Sequence, residues 1–318
     1  IVLFNMPWEG YGKTVQYRVN GASRAARHGA VAVLIRSVTG TSLATPHTGV
    51  MRYADDAPRI PAAAITVEDA GRLQRLADAG LKPRVHLLME AENLGETTSH
   101  NVIGDIRGAV HPDQIVLVSG HLDSWDLGTG AHDDGAGCLQ ALGAARQLLA
   151  GGARPARTVR VVFWTSEETG GQGGKAYLEA HAGELDRHVV ALESDSGGFA
   201  PRGFSAMGDS LIVAAVADHA RALAALGADA VTAGGAGVDV DPICKAGVPG
   251  IGHRVDGSIY FDYHHSPADT FDKIVPEDFA RNVAAIAGLI GAICDDPVSL
   301  RDRGRTDADH GGAQPVSH

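Results

Sequence analysis

An apolar run, Gln114-Ile115-Val116-Leu117-Val118-Ser119-Gly120, leads straight into His121-Leu122-Asp123 and then into Gly130-Ala131-His132-Asp133-Asp134-Gly135-Ala136-Gly137. The β-branched run reads as a buried strand. An imidazole and a carboxylate therefore emerge at a strand end, ahead of a glycine-rich turn and an apolar helical pattern. This order constrains the chain to an α/β sheet, because open sheets of that class hold their ligands outside the carboxyl ends of the strands. A polar loop capping a strand would explain any one of these residues, but not the set that follows downstream.

Strands are expected at 102–106, 115–119, 159–164 and 189–192, separated by helical stretches at 136–149 and 176–181. That alternation predicts an α/β fold with a mostly parallel sheet covered by helices. Two more amphipathic helices are expected at 211–226 and 276–294, and Pro276 suits a first helical turn. Before this unit, residues 1–92 read as a smaller α/β domain. Its strands are expected at 2–5, 30–35, 61–65 and 85–89, and its helices at 22–28 and 67–79, the second capped by Thr66. The Thr, Ser, Gly and Pro-rich stretch 37–49 reads as a long loop, functional or mobile. His28, His47 and His86 stand isolated and read as surface or satisfied histidines. The catalytic unit is expected over 93–298. A charged, glycine-rich tail follows over 299–318, with the composition of a disordered segment. The chain opens directly on strand-like residues and has no signal peptide, which reads as a truncated N-terminus.

Composition matters chiefly for what it excludes. The net charge is −11 and the 27 Lys and Arg are scattered, which argues against a nucleic-acid partner. No apolar run approaches the roughly 18 residues of a membrane span. Cys138, Cys244 and Cys294 lie far apart in apolar contexts and read as small core residues, with no disulfide framework.

Four clusters at strand ends carry the chemistry. His121 and Asp123 stand two apart, so in extended backbone they share a side. Asp123 could bind the same ion or orient His121 through its other ring nitrogen. Asp133-Asp134 reads either as ligands or as an Asx turn with an N-cap. Glu167-Glu168 follows an apolar strand and has glycines behind it. One carboxylate could hold a cation while the other accepts a proton, or both could be solvated and favourably placed at a helix start. Glu193-Ser194-Asp195 and the late Tyr263-His264-His265 complete the set. Imidazole and carboxylate ligands without thiolate suit a catalytic zinc site. The surplus of carboxylates suits a pair of metals roughly 3.5 to 4 Å apart that share one of them.

The series HLDSWDLGTGAHDDGAG, WTSEETGG, ESDSGG and HHSPADT resembles the co-catalytic di-zinc exopeptidases, the family of bacterial leucyl aminopeptidase and glutamate carboxypeptidase, in family order and spacing over nearly the whole chain. In the first unit, TVQYR, LIRSV, PHTG and ITVEDA look like that family's inserted protease-associated domain. The resemblance implies two Zn2+ ions. His121 would bind one, Asp133 would bridge both, Glu168 and Asp195 would bind one each, and His265 would complete the set, chosen over His264 because it fits H-x-x-x-D-T. Glu167 would be the general base acting on metal-activated water, His264 a donor to the oxyanion, and Asp123 the carboxylate behind His121. Asp134 would not be a ligand. Asp239 matches a family position and reads first as an N-cap, second as a residue shaping the substrate cleft.

The expected function is hydrolysis of dipeptides or short peptides by a secreted or periplasmic zinc exopeptidase, with no nucleic-acid or membrane partner and a homodimer allowed. Alternatives on the same fold are an aminopeptidase, an N-acyl amino acid amidase, a single-metal glutaminyl-cyclase-like transferase, and a non-catalytic receptor-like binding protein.

Overall fold

A computed structural model describes residues 1–152 and 154–303. The chain forms two compact units, and neither is continuous in sequence. One comprises 1–99, 124–133 and 257–273; the other comprises 100–123, 134–256 and 274 onward.

In the first unit, strands β1 (Val2–Phe4), β2 (Val33–Arg36) and β3 (Ala62–Ile65) form a parallel sheet in the order β1-β2-β3. Helix α1 (Tyr11–Ala26) buries Ala22, Ala25 and Ala26 against Val33 and Ile35. It begins well before the expected start at residue 22. Gly12 and Gly21 make the earlier turns look non-helical, but Thr14, Val15, Arg18 and Ala22 recur at helical spacing and are buried. Gly21 also has to be small, because a Cβ there would lie 3.0 Å from the Phe4 ring. Helix α2 (Val67–Asp78) starts as expected, with Thr66 Oγ1 accepting the Asp69 amide at 3.0 Å. The strand expected at 85–89 is not formed; that stretch has no regular structure and Leu88 is exposed. Its apolar residues match strand composition, yet no ladder satisfies their backbone. A single helical turn, α7 (Tyr260–Tyr263), also belongs to this unit.

The second unit contains β4 (Val102–Ile106), β5 (His111–His121), α3 (Ala136–Ala150), β6 (Arg157–Trp164), α4 (Gln172–Ala180), β7 (His188–Glu193), β8 (Pro201–Met207), α5 (Ser210–Ala220), β9 (Val231–Ala233), α6 (Asp241–Lys245), β10 (Gly250–Val255), α8 (Pro276–Asp295) and α9 (Leu300–Arg303). Its seven-stranded sheet runs β4-β6-β5-β7-β10-β8-β9. The central β6, β5, β7 and β10 are parallel, while β4 and β8 pair antiparallel to their inner neighbours. Alternation along β5 divides the core. Val116 and Val118 face the side covered by Ile286 and Ile290 of α8. Ile115 and Leu117 face Tyr177 of α4 and Ile243 of α6. Each such buried side chain contributes about 1.5–3 kcal/mol of hydrophobic stabilisation. The three cysteines are free and buried, as the apolar context predicts.

Parallel pairing brings the carboxyl ends of β5, β6 and β7 side by side, with His121 opposite Trp164 and Ser119 opposite Glu193. The residues just past those ends are the charged clusters. Helix α9 lies inside the stretch whose composition suggests disorder; residues 304–318 lie outside the described residues.

Candidate metal centre

In the second unit, His121 is buried at the end of β5, with Nε2 3.4 Å from Asp195 Oδ1. Its Nδ1 lies 2.8 Å from the Asp123 carbonyl oxygen. A carbonyl only accepts, so Nδ1 carries the proton and Nε2 keeps its lone pair for an electrophile. The Asp123 carboxylate was expected to orient this ring, but it has another role. It accepts the Glu167 and Glu168 amides at 3.0 and 3.2 Å and lies 3.8 Å from Nδ1. Asp123 thus aims His121 through its main chain and clamps the glutamate turn through its side chain. Ser166, at the entry to that turn, has a φ of 62°, a left-handed conformation that a non-glycine residue adopts only when its surroundings enforce it.

Burial pushes the Glu167 carboxyl up to about 8, reinforced by Asp195, Asp239 and Glu168 and opposed by His121. A cation beside these carboxylates would lower it again. Asp134 accepts the His121 amide through Oδ2 and the Gly137 amide through Oδ1, both at 3.0 Å, which ties the end of β5 to the start of α3. Its carboxylate also lies within ligand range of His121 and Asp195, but those two amides give it the work of a turn carboxylate. Asp239 does not cap a helix. α6 begins at Asp241 with Val240 at the N-cap, and burial pushes the Asp239 carboxyl up to about 7.

In the first unit, Asp133 Oδ2 lies 3.3 Å from His265 Nε2 and 3.6 Å from His264 Nε2, all three residues being buried. The two imidazoles stack with centroids 3.6 Å apart. His265 has a φ of 57°, again left-handed. The loop that includes Pro46 and Gly49 holds it. The Thr48 amide donates to the His265 carbonyl at 2.9 Å, and His265 Nδ1 donates to the Thr48 carbonyl at 3.3 Å. His265 Nε2 therefore also keeps its lone pair, on the side facing Asp133. His47 Nδ1 donates to the His264 carbonyl at 2.7 Å. Burial, with His265 next, holds His264 well below the ordinary histidine range, so it is neutral.

Sequence reasoning gave Asp269 no role, yet it organises this group of residues. Its carboxylate accepts the amides of His132 at 2.7 Å and Asp133 at 3.1 Å, and its carbonyl accepts the Thr129 amide at 2.8 Å. One loop thus supplies His265 and fixes the backbone of Asp133. The available signal was the Asp of H-x-x-x-D-T. His47 was read as an isolated histidine; it is buried and satisfied by holding the ligand segment.

Among the described residues, two groups have the reach to hold an ion: Asp133 with His264 and His265, and His121 with Asp134 and Asp195. Glu168 belongs to neither. Zinc bonds of about 2.0–2.1 Å at tetrahedral angles separate neighbouring ligand atoms by about 3.3–3.4 Å. The separations of 3.3 Å between His265 and Asp133 and 3.4 Å between His121 and Asp195 match that spacing, while His264 stands off at 3.6 Å, and the nitrogen and oxygen donor set fits zinc of the catalytic kind.

The family model described as Peptidase family M28 matches residues 101–290. The chain belongs to that family. Carboxypeptidase Q from Mus musculus is 44% identical to this M28 chain over 295 residues, covering 92% of it and 62% of the mouse protein. A crystal structure of a Peptidase M28 precursor from Shewanella amazonensis superposes with a TM-score of 0.85 at 39% identity, covering 92% of this chain and 66% of that one. A zinc aminopeptidase from Bacillus subtilis shares the fold, with a TM-score of 0.62 at 23% identity over 88% of this chain and 68% of that one. The M28 chain spans 62% of the length of the mouse and 60% of the length of the human carboxypeptidase Q.

Proposed function

We propose that this chain is a zinc-dependent exopeptidase that hydrolyses dipeptides or short peptides. The observation that carries the reading is the pair of histidine–carboxylate groups with ligand atoms at zinc spacing, one containing Asp133 and His265 and the other containing His121 and Asp195. His121, Glu168 and Asp195 on one side and His265 on the other are assigned to two Zn2+ ions. Asp133 is the ligand common to both, as the family resemblance implies. Zinc, when bound, polarises the scissile carbonyl and lowers the pKa of water. Glu167, buried and clamped by Asp123, takes a proton from the attacking water and passes it to the leaving amine. His264, neutral and beside Asp133, donates a hydrogen bond to the developing oxyanion.

A secreted or periplasmic enzyme is proposed with it, by kinship to carboxypeptidase Q. Among the described residues no helix is long and apolar enough to cross a membrane.

The test is a zinc count together with hydrolysis of free, N-blocked and C-amidated dipeptides by wild type and Glu167→Gln. Two zinc ions per chain are expected in both proteins, with turnover in the variant down by roughly 10²- to 10⁴-fold. Retention of no zinc, with no rescue on adding it, would leave a binding protein of this fold instead. Saturation at one ion would favour the single-metal transferase.

A further inference from the structure

A cavity of about 490 Å³ opens on the second unit beside Asp195, over the ends of β8 and β10. Its volume falls within the range of small-ligand sites. Two of its lining glycines have to be small: a Cβ on Gly252 would lie 2.6 Å from Ser205 Oγ, and one on Gly237 would lie 2.2 Å from the Glu193 carboxyl carbon. Three acids and one cation line it. Each acid is engaged. Asp195 faces His121, Asp241 is paired with Lys245 at 2.6 Å, and Glu193 is buried beneath Gly237, where it accepts the Val240 amide at 2.8 Å. The cation is Arg254, exposed near the end of β10. Its Nη1 donates to the neutral Thr232 hydroxyl at 3.1 Å, and it has no carboxylate partner among the described residues. A guanidinium presents five donors in a plane that matches a carboxylate, so four remain for a ligand.

We propose that Arg254 is a specificity residue that binds a carboxylate of the peptide substrate, either its C-terminal carboxylate or that of an acidic side chain. The inference rests on the exopeptidase reading and deepens it, since the zinc ligand assigned there and the guanidinium line the same cavity. A hydrogen-bonded ion pair of this kind corresponds to a change in affinity of about 10- to 100-fold.

The test uses zinc-loaded Glu167→Gln protein, which binds peptide without turning it over, and compares Arg254, Arg254→Ala and Arg254→Lys by calorimetry. The probes are Ala-Ala against Ala-Ala-amide, and Gly-Glu-amide against Gly-Gln-amide. Arg254→Ala is expected to weaken the charged member of at least one pair by roughly 10- to 100-fold while the uncharged member stays within about twofold, with Arg254→Lys in between. The pair that responds identifies the source of the carboxylate. In enzyme with native Glu167, the same substitution is expected to raise KM for that substrate and leave kcat unchanged. Equal loss for charged and uncharged members, or no loss for either, overturns the assignment while leaving the exopeptidase reading intact. Failure of the parent to bind any of the four peptides overturns both.

Discussion

At the scale of single residues, the metal centre depends on groups that never touch a metal. Asp269 accepts two successive amides, those of His132 and Asp133. An asparagine there would offer one acceptor and turn an N–H donor toward the other amide. Asp269→Asn is therefore expected to lower zinc affinity by roughly 10- to 100-fold, measured by competition with a chelator, while far-ultraviolet circular dichroism stays unchanged. A second chain of contacts sets a pH response. Gln140 donates to the Gly197 carbonyl, so its oxygen faces Ser194, whose hydroxyl donates to it at 2.7 Å; His253 Nδ1 must then donate to Ser194 Oγ at 3.1 Å. Burial holds His253 down at about 4. The unfolded chain, with an ordinary histidine near 6.5, takes up the proton first, so stability is lost as pH falls from about 6.5 toward 4 and changes no further below that. At about 1.4 kcal/mol per pH unit, His253 accounts for roughly 3 kcal/mol of that loss. In urea unfolding of chelator-treated protein, the stability of wild type relative to His253→Asn should therefore fall between pH 7 and pH 5.

At the scale of elements, the start of α3 packs closely against the segment that follows β7. A Cβ on Gly137 would lie 1.9 Å from the Ser194 carbonyl oxygen, in backbone, so the neighbour cannot simply rotate away. Gly137→Ala is expected to cost about 1–3 kcal/mol in urea unfolding and to weaken zinc binding, because Ser194 precedes Asp195. The contrast is Thr66→Ala, which removes the cap of α2 at a cost of about 1 kcal/mol and should leave zinc binding untouched. Both elements were legible in the sequence, α2 from its Thr66 cap and β5 from its apolar run. The start of α1 was not, because Gly12 and Gly21 look like helix breakers in sequence, whereas Gly21 is there to admit the Phe4 ring and a Cβ on Gly12 would meet nothing within 4 Å.

At the scale of the whole molecule, each candidate group joins residues far apart in the chain: His121 with Asp195, and Asp133 with His264 and His265. Zinc bound only by the folded state closes those long loops. At about a thousand times its dissociation constant it would add roughly 4 kcal/mol. Stripping the metal is therefore expected to lower Tm by roughly 5–15 °C, reversibly on adding zinc. An unchanged melting curve, with the metal loss verified, would argue against either group as a zinc site.

The sequence by itself determined the fold class and named the candidate residues of the centre. Strand periodicity, glycine turns and His, Asp and Glu at strand ends are local properties, and spacing records them. Only the tertiary structure decided how those residues are held. Two late segments join the first unit, the Pro46–Gly49 loop sets the ring of His265, the Asp123 carboxylate clamps the Glu167–Glu168 turn, and Asp269 grips the backbone of Asp133. These are hydrogen bonds to main-chain groups, which every residue carries alike. A pattern of side-chain types can mark an acceptor, as the Asp of H-x-x-x-D-T does, but not the main-chain group it holds until the chain has folded.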